Sequence, residues 1–228
     1  MSPYASQDRA DFAERVGIAP DSLVLGLEAD GVLARILGGK TEKGVISGSM
    51  QMKRARGAKF CSGADAAFIA ASMQKMPFLD RAFDVAISYH SLNFVPPELL
   101  PGILAEVKRV LKGGGKFAFL VRSQTPLGDA QKSDLLLAEI LHTEGLMWLH
   151  DYDFLAKSLK KAAFREITME VIKRQVKVPR RWTRVHVSFV KTCGAAAEGK
   201  IKEYVNITSE FGEELLPALQ FVARKGYD

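Results

Sequence analysis

The chain has 228 residues, 47% of them hydrophobic, which is enough apolar material to bury a core without disulfides, metals or repeats. Its 32 basic and 26 acidic side chains leave a net charge of +6, a balance that excludes a disordered polyelectrolyte and a histone-like polycation. No apolar run approaches the roughly 20 residues of a bilayer span, and MSPYASQDRADF has no signal-peptide pattern, so a cytoplasmic protein with no membrane partner is expected. Cys61 and Cys193 lack Cys-x-x-Cys spacing and read as small buried hydrophobes.

After an amphipathic segment around Phe12 to Val16, strand-like runs alternate with longer helical ones, the rhythm of a parallel sheet covered on both faces. LVLGL at Leu23 to Leu27 predicts the first strand, and weaker strands follow at Gly44 to Ile46 and Ala67 to Ala71, separated by an Arg/Lys-rich helix over Met50 to Cys61. FDVAIS, Phe83 to Ser88, is the continuous apolar run of a buried parallel strand. PPELLPGILAEVKRVLK repeats Leu99, Ile103, Val107 and Val110 at helical spacing, and KFAFLV at Lys116 to Val121 completes a strand, crossover helix, strand unit. Asp151 reads as the N-cap of a helix carrying Leu155 and Leu159. EITMEVIKRQV and ALQFVARK predict two further strands. The segment between them is too long for a hairpin loop, and Trp182, Val185, Phe189 and Cys193 favour helices there, although VHVSFV alone also passes as a strand.

The order of these pieces resembles the class I S-adenosylmethionine-dependent methyltransferases of the type 11 kind. MPFLDRAFDVAISYHSLNFV, VKRVLKGGGKFAFL and LKKAAF at Leu159 to Phe164 are similar to that family's stretches around strands four, five and six. The resemblance implies one α/β domain over 1–228, with a Rossmann-like seven-stranded, mostly parallel sheet, helices on both faces, an antiparallel last strand and a helical cap over 179–214. It also implies methyl transfer from S-adenosylmethionine to a small-molecule acceptor, without a metal. The cofactor would lie across the carboxyl ends of strands one, two and four, near Gly26, Glu28, Asp30, Gly31, Ser47, Ser72, Met73 and Ser88, with His90 facing the acceptor as a base or orienting group.

The chain departs from that family where the cofactor should bind. Strand one runs VLGLEADG, so Gly26 stands where the family has an acid and most glycines of the turn are missing. Strand two ends in Ser47-Gly48-Ser49, with no carboxylate to clamp ribose hydroxyls. Two readings follow. Either Glu28, Asp30 and the serines take over the contacts, or the chain is a catalytically inactive methyltransferase-like subunit that contacts protein or RNA. Residues 151–184 hold ten basic and four acidic side chains, an excess equal to the net charge of the whole protein, so the 157–184 surface could meet nucleic acid or a protein; a solvated helix and a lysine-guarded edge strand is the plainer reading. A short-chain dehydrogenase is excluded because the position four after Tyr152 is Ala156, not lysine.

Overall fold

The computed structural model describes residues 6–28, 32–38, 40–41, 45–49, 66–194 and 197–227; the helix expected over 50–61, with Cys61, lies outside them. The strands are β1 Val24–Leu27, β2 Val45–Ser49, β3 Ala66–Ala70, β4 Phe83–Tyr89, β5 Leu111–Arg122, β6 Phe164–Ile172 and β7 Ala218–Lys225. The helices are α1 Ser6–Val16, α2 Val32–Gly38, α3 Leu100–Val110, α4 Asp129–Thr143, α5 Tyr152–Lys161, α6 Arg180–Val190 and α7 Glu198–Glu210. One sheet takes the order β3-β2-β1-β4-β5-β7-β6, and β7 runs antiparallel to both of its neighbours. The expected mostly parallel sheet with an antiparallel last strand is thus observed.

Strand alternation divides the core between the two faces. Leu25, Leu27, Ala86, Phe117 and Phe119 pack under Ile103, Leu104 and Val107 of α3 and Leu155 and Leu159 of α5. Val24, Val85, Ile87, Ala118 and Leu120 pack under Phe12 and Val16 of α1 and Leu33 and Leu37 of α2. Both faces of the central strands are therefore covered, which is why FDVAIS shows no polar alternation. β6 is an edge strand, and it alternates toward solvent through Arg165, Glu166, Thr168 and Glu170.

The motifs in the middle of the sequence are staples. Asp84 of the Phe-Asp pair accepts the Leu23 amide at 2.9 Å and Lys112 Nζ at 2.7 Å, tying the start of β1 to the start of β5. Arg109 of α3 donates to the carbonyls of Met76 and Phe78, while Glu106 accepts the Met76 amide, so α3 grips the Met-Pro-Phe turn. The glycine run lies inside β5, at the register shift between Phe83 and Val85. Gly114 takes φ +75°, and a methyl on Gly115 would sit 2.8 Å from the Lys112 carbonyl oxygen. Asp151 caps α5 as expected, its carboxylate accepting the amides of Asp153 and Phe154.

The expected cap is present as α6 and α7, with a third helix, α4, that the sequence pattern had not singled out. Leu136, Leu137 and Ile140 of α4 meet Val190 of α6 and Tyr204 of α7 in a cluster apart from the sheet's own core. The same helix buries Gln131, Ser133 and Asp134, polar residues that blur its apolar stripe. Cys193 is half-buried at the rim of this cluster rather than buried, because it sits in the turn after α6.

Gly115→Ala should destabilise the protein by about 1–3 kcal/mol, since only backbone can give way. Gly199→Ala, in α7 with nothing within 4 Å of the added methyl, should stabilise it by about 0.5–1 kcal/mol. Urea midpoints of the two variants check this pair.

Candidate functional site

In an open α/β sheet, ligands sit outside the carboxyl ends of the strands where the strand order reverses. Here that switch point lies between β1 and β4, which pair through Val24–Val85, Leu25–Ala86 and Gly26–Ile87. Gly26 makes the last of these pairs and is flanked on its other side by Ser47 of β2. Glu28 follows β1 and is buried. Its two oxygens accept the amides of Leu33 at 2.9 Å and Ala34 at 2.7 Å, capping α2. Ser72 and Met73 follow β3, two strands along the same edge. Ser72 is exposed and its Oγ accepts the Gln74 amide, while Met73 is buried in the core cluster beside Met76. Asp30 and Gly31 lie outside the described residues, and Ser47 is placed by its backbone alone.

The carboxyl end of β4 carries two buried polar atoms without hydrogen-bond partners, Ser88 Oγ and His90 Nε2. His90 adopts φ 58°, ψ 0°, a left-handed conformation costing a non-glycine residue about 1–2 kcal/mol. Its amide donates to the Leu120 carbonyl at 2.8 Å, and its carbonyl accepts the Asn93 amide at 3.1 Å. Asn93 decides the ring's tautomer. Its Nδ2 donates to the Trp148 carbonyl at 3.0 Å and its Oδ1 accepts the Arg122 amide at 3.0 Å, so Oδ1 is the acceptor facing His90 Nδ1 at 3.2 Å. The neutral ring therefore carries its proton on Nδ1 and a lone pair on Nε2. Burial holds the His90 pKa well below the ordinary histidine value, and the charges of Arg174, Arg122 and Arg9 push it the same way.

Around His90 is a buried charged group that nothing in the sequence pattern announced. Asp8 of α1 accepts from Arg174, beyond β6, and from the Tyr89 hydroxyl. Arg9 lies 4.7 Å from the Tyr89 ring centroid, and the Tyr89 and His90 rings meet edge to face at 4.5 Å. Burial raises the Tyr89 pKa, so the phenol stays a donor. From the cap, Asp134 of α4 pairs with Arg122 Nε at 3.4 Å and accepts the Leu216 amide at 2.9 Å. Within the cap, His186 Nδ1 meets Glu213 at 2.9 Å. His150 Nε2 donates to the Leu92 carbonyl, and His142 bonds the Met147 carbonyl. A groove of about 570 Å³ lined by Arg81, Lys108 and Lys225 lies at the opposite, amino edge of the sheet, away from this chemistry.

The strand order agrees with the comparisons. Residues 22–119 match the model of a methyltransferase domain. The fold is that of the class I methyltransferases. A cyclopropane-fatty-acyl-phospholipid synthase-like protein from Lactobacillus casei superposes with a TM-score of 0.76 at 14% identity, over 97% of this chain and 90% of that one. In sequence, the chain is 34% identical over 109 residues to a sterol 4-C-methyltransferase of Caenorhabditis elegans, covering 47% of this chain and 30% of that protein. It is 29% identical over 179 residues to a ubiquinone/menaquinone biosynthesis C-methyltransferase of Dinoroseobacter shibae, covering 76% of this chain and 67% of that protein. It thus spans under a third of the first relative's length and two thirds of the second's.

Two outcomes test this geometry. Asp8→Ala would strand the Arg174 guanidinium and should lower stability by about 3–5 kcal/mol, whereas Tyr89→Phe, which leaves that pair intact, should cost about 1 kcal/mol. His90 and His150 are both lowered, chiefly by burial, so below the ordinary value of 6.5 the unfolded chain takes up protons that the folded chain does not. Stability should therefore be full above pH 6.5 and decline as pH falls, by at most about 1.4 kcal/mol per unit for each ring, and His90→Gln should flatten that decline in urea titrations.

Proposed function

We propose that this chain transfers a methyl group from S-adenosylmethionine to a small-molecule acceptor, with His90 Nε2 receiving the acceptor's proton. The observation that carries the reading is an orphaned imidazole lone pair, fixed in tautomer by Asn93, at the switch point of a methyltransferase-domain sheet. Sterol C-methylation and a C-methyltransferase of ubiquinone/menaquinone biosynthesis, named for the two relatives, support an apolar acceptor with an acidic hydroxyl or carbon. Three guanidiniums acting on His90 favour the anionic form such an acceptor takes on losing its proton.

The polar atoms present fit a bound nucleoside, since Ser88 Oγ stands buried and unmatched where β1 and β4 end. Gly26, Ser47, Ser72, Met73 and Ser88 would hold S-adenosylmethionine, together with Asp30 and Gly31. That cofactor supplies an electrophilic methyl group. Glu28 acts as a positioning residue, because its carboxylate fixes the start of α2 against the end of β1. The protein's part is then to hold the acceptor, exclude water beneath the cap and take the proton at His90.

The competing reading, a non-catalytic binding subunit, draws on the same capping contact, which engages the acid nearest the cofactor turn. Titration calorimetry separates the two. S-adenosylmethionine or its demethylated product should bind at low micromolar Kd or tighter, and Ser88→Val should weaken that binding about tenfold. No heat with either ligand at millimolar concentration would leave only the binding-subunit reading.

A further inference from the structure

From Lys173 to Lys191 the chain carries seven basic residues and no acid. One of them, Arg174, turns inward to Asp8; Arg180, Arg181 and Arg184 lie on α6 and Lys191 follows it directly. Among the described residues, α6 buries only Val190. Its other apolar residues form a stripe at helical spacing, with Trp182 half-buried, Val185 53% exposed and Phe189 43% exposed. Arg181 and Arg184, both exposed, share the helix's outer face with Val185 and Phe189. Phe211, which follows α7 in the cap, is also exposed, at 48%.

We propose that α6 is an interfacial helix that seats the cap on an anionic phospholipid bilayer. An apolar stripe edged by arginines and free of acids is the pattern that sinks one helix face into the boundary of headgroups and acyl chains while cations meet lipid phosphates. The expectation of no membrane partner rested on spanning length, and an interfacial helix needs none. Nucleic acid would use the arginines but gives no reason to expose Val185 and Phe189 beside them. A second copy across a two-fold axis would set the same arginines against one another. The inference rests on the surface alone and holds whatever the domain methylates.

Flotation of the whole chain with lipid vesicles tests it without an activity readout. The protein should float with vesicles of phosphatidylcholine and phosphatidylglycerol, float far less with phosphatidylcholine alone, and be released by high salt. Val185→Glu with Phe189→Glu should weaken partitioning at least about tenfold. Arg181→Glu with Arg184→Glu should weaken it at least about fivefold per arginine. Lys160→Glu with Lys161→Glu, an equal charge change at the far end of α5, should leave it unchanged. All these side chains are exposed, and unchanged thermal unfolding confirms each fold. Failure to float with anionic vesicles, or flotation indifferent to the Val185 and Phe189 changes, overturns the proposal. Arginine-dependent retention on polyuridylate without flotation overturns it too, and assigns the surface to nucleic acid.

Discussion

The side-chain amide of Asn93 is the joint on which the candidate site depends. It is fully buried and collects three groups from three parts of the chain: the His90 ring at the end of β4, the Arg122 amide at the end of β5 and the Trp148 carbonyl in the loop after α4. The Trp148 amide in turn donates to the Asn93 carbonyl at 2.7 Å, so backbone and side chain clamp the same loop. A carboxamide with one oxygen and one nitrogen cannot satisfy those partners in the flipped orientation, and the orientation dictates which imidazole nitrogen is bare. The left-handed backbone of His90 belongs to the same arrangement, a strain of the sort that persists where the surroundings overdetermine it.

A second constraint operates across the sheet edge. Arg174 and Asp8 are 166 residues apart in sequence, and their pairing fastens α1 to the turn beyond β6 over the Tyr89 ring. Asp134 and Arg122 do the same for the cap. Such pairs contribute little net stability, yet either partner alone would be a buried charge. They hold the roof of the site in register with its floor, and they supply the positive field in which His90 stays neutral.

The fold was legible in the sequence because its signals are local and repeated. Phe83-Asp84, Glu106 with Arg109 and the Gly113 to Gly115 run each perform a staple that the parallel architecture needs at one place, so resemblance in those residues reports the architecture. The site was legible only in part. His90 stood out by its position after a buried strand. Its partners did not, because Asp8, Arg174, Arg122 and Asp134 are ordinary surface residue types whose meaning comes from contacts that no spacing encodes. The place of Glu28 after β1 suggests a ligand-facing acid, whereas its oxygens turn into α2, a choice made by backbone geometry. The helix α4 escaped for a related reason: it packs on α6 and α7, so its pattern answers to the cap and not to the sheet.

Nitrogen-15 magnetic resonance of the His90 ring reads the tautomer and the charge together. A protonated Nδ1 and a bare Nε2 should persist well below the pH at which free histidine titrates, and Asn93→Ala should abolish that preference. A proton found on Nε2, or titration of the ring at the ordinary histidine pH, would contradict the account.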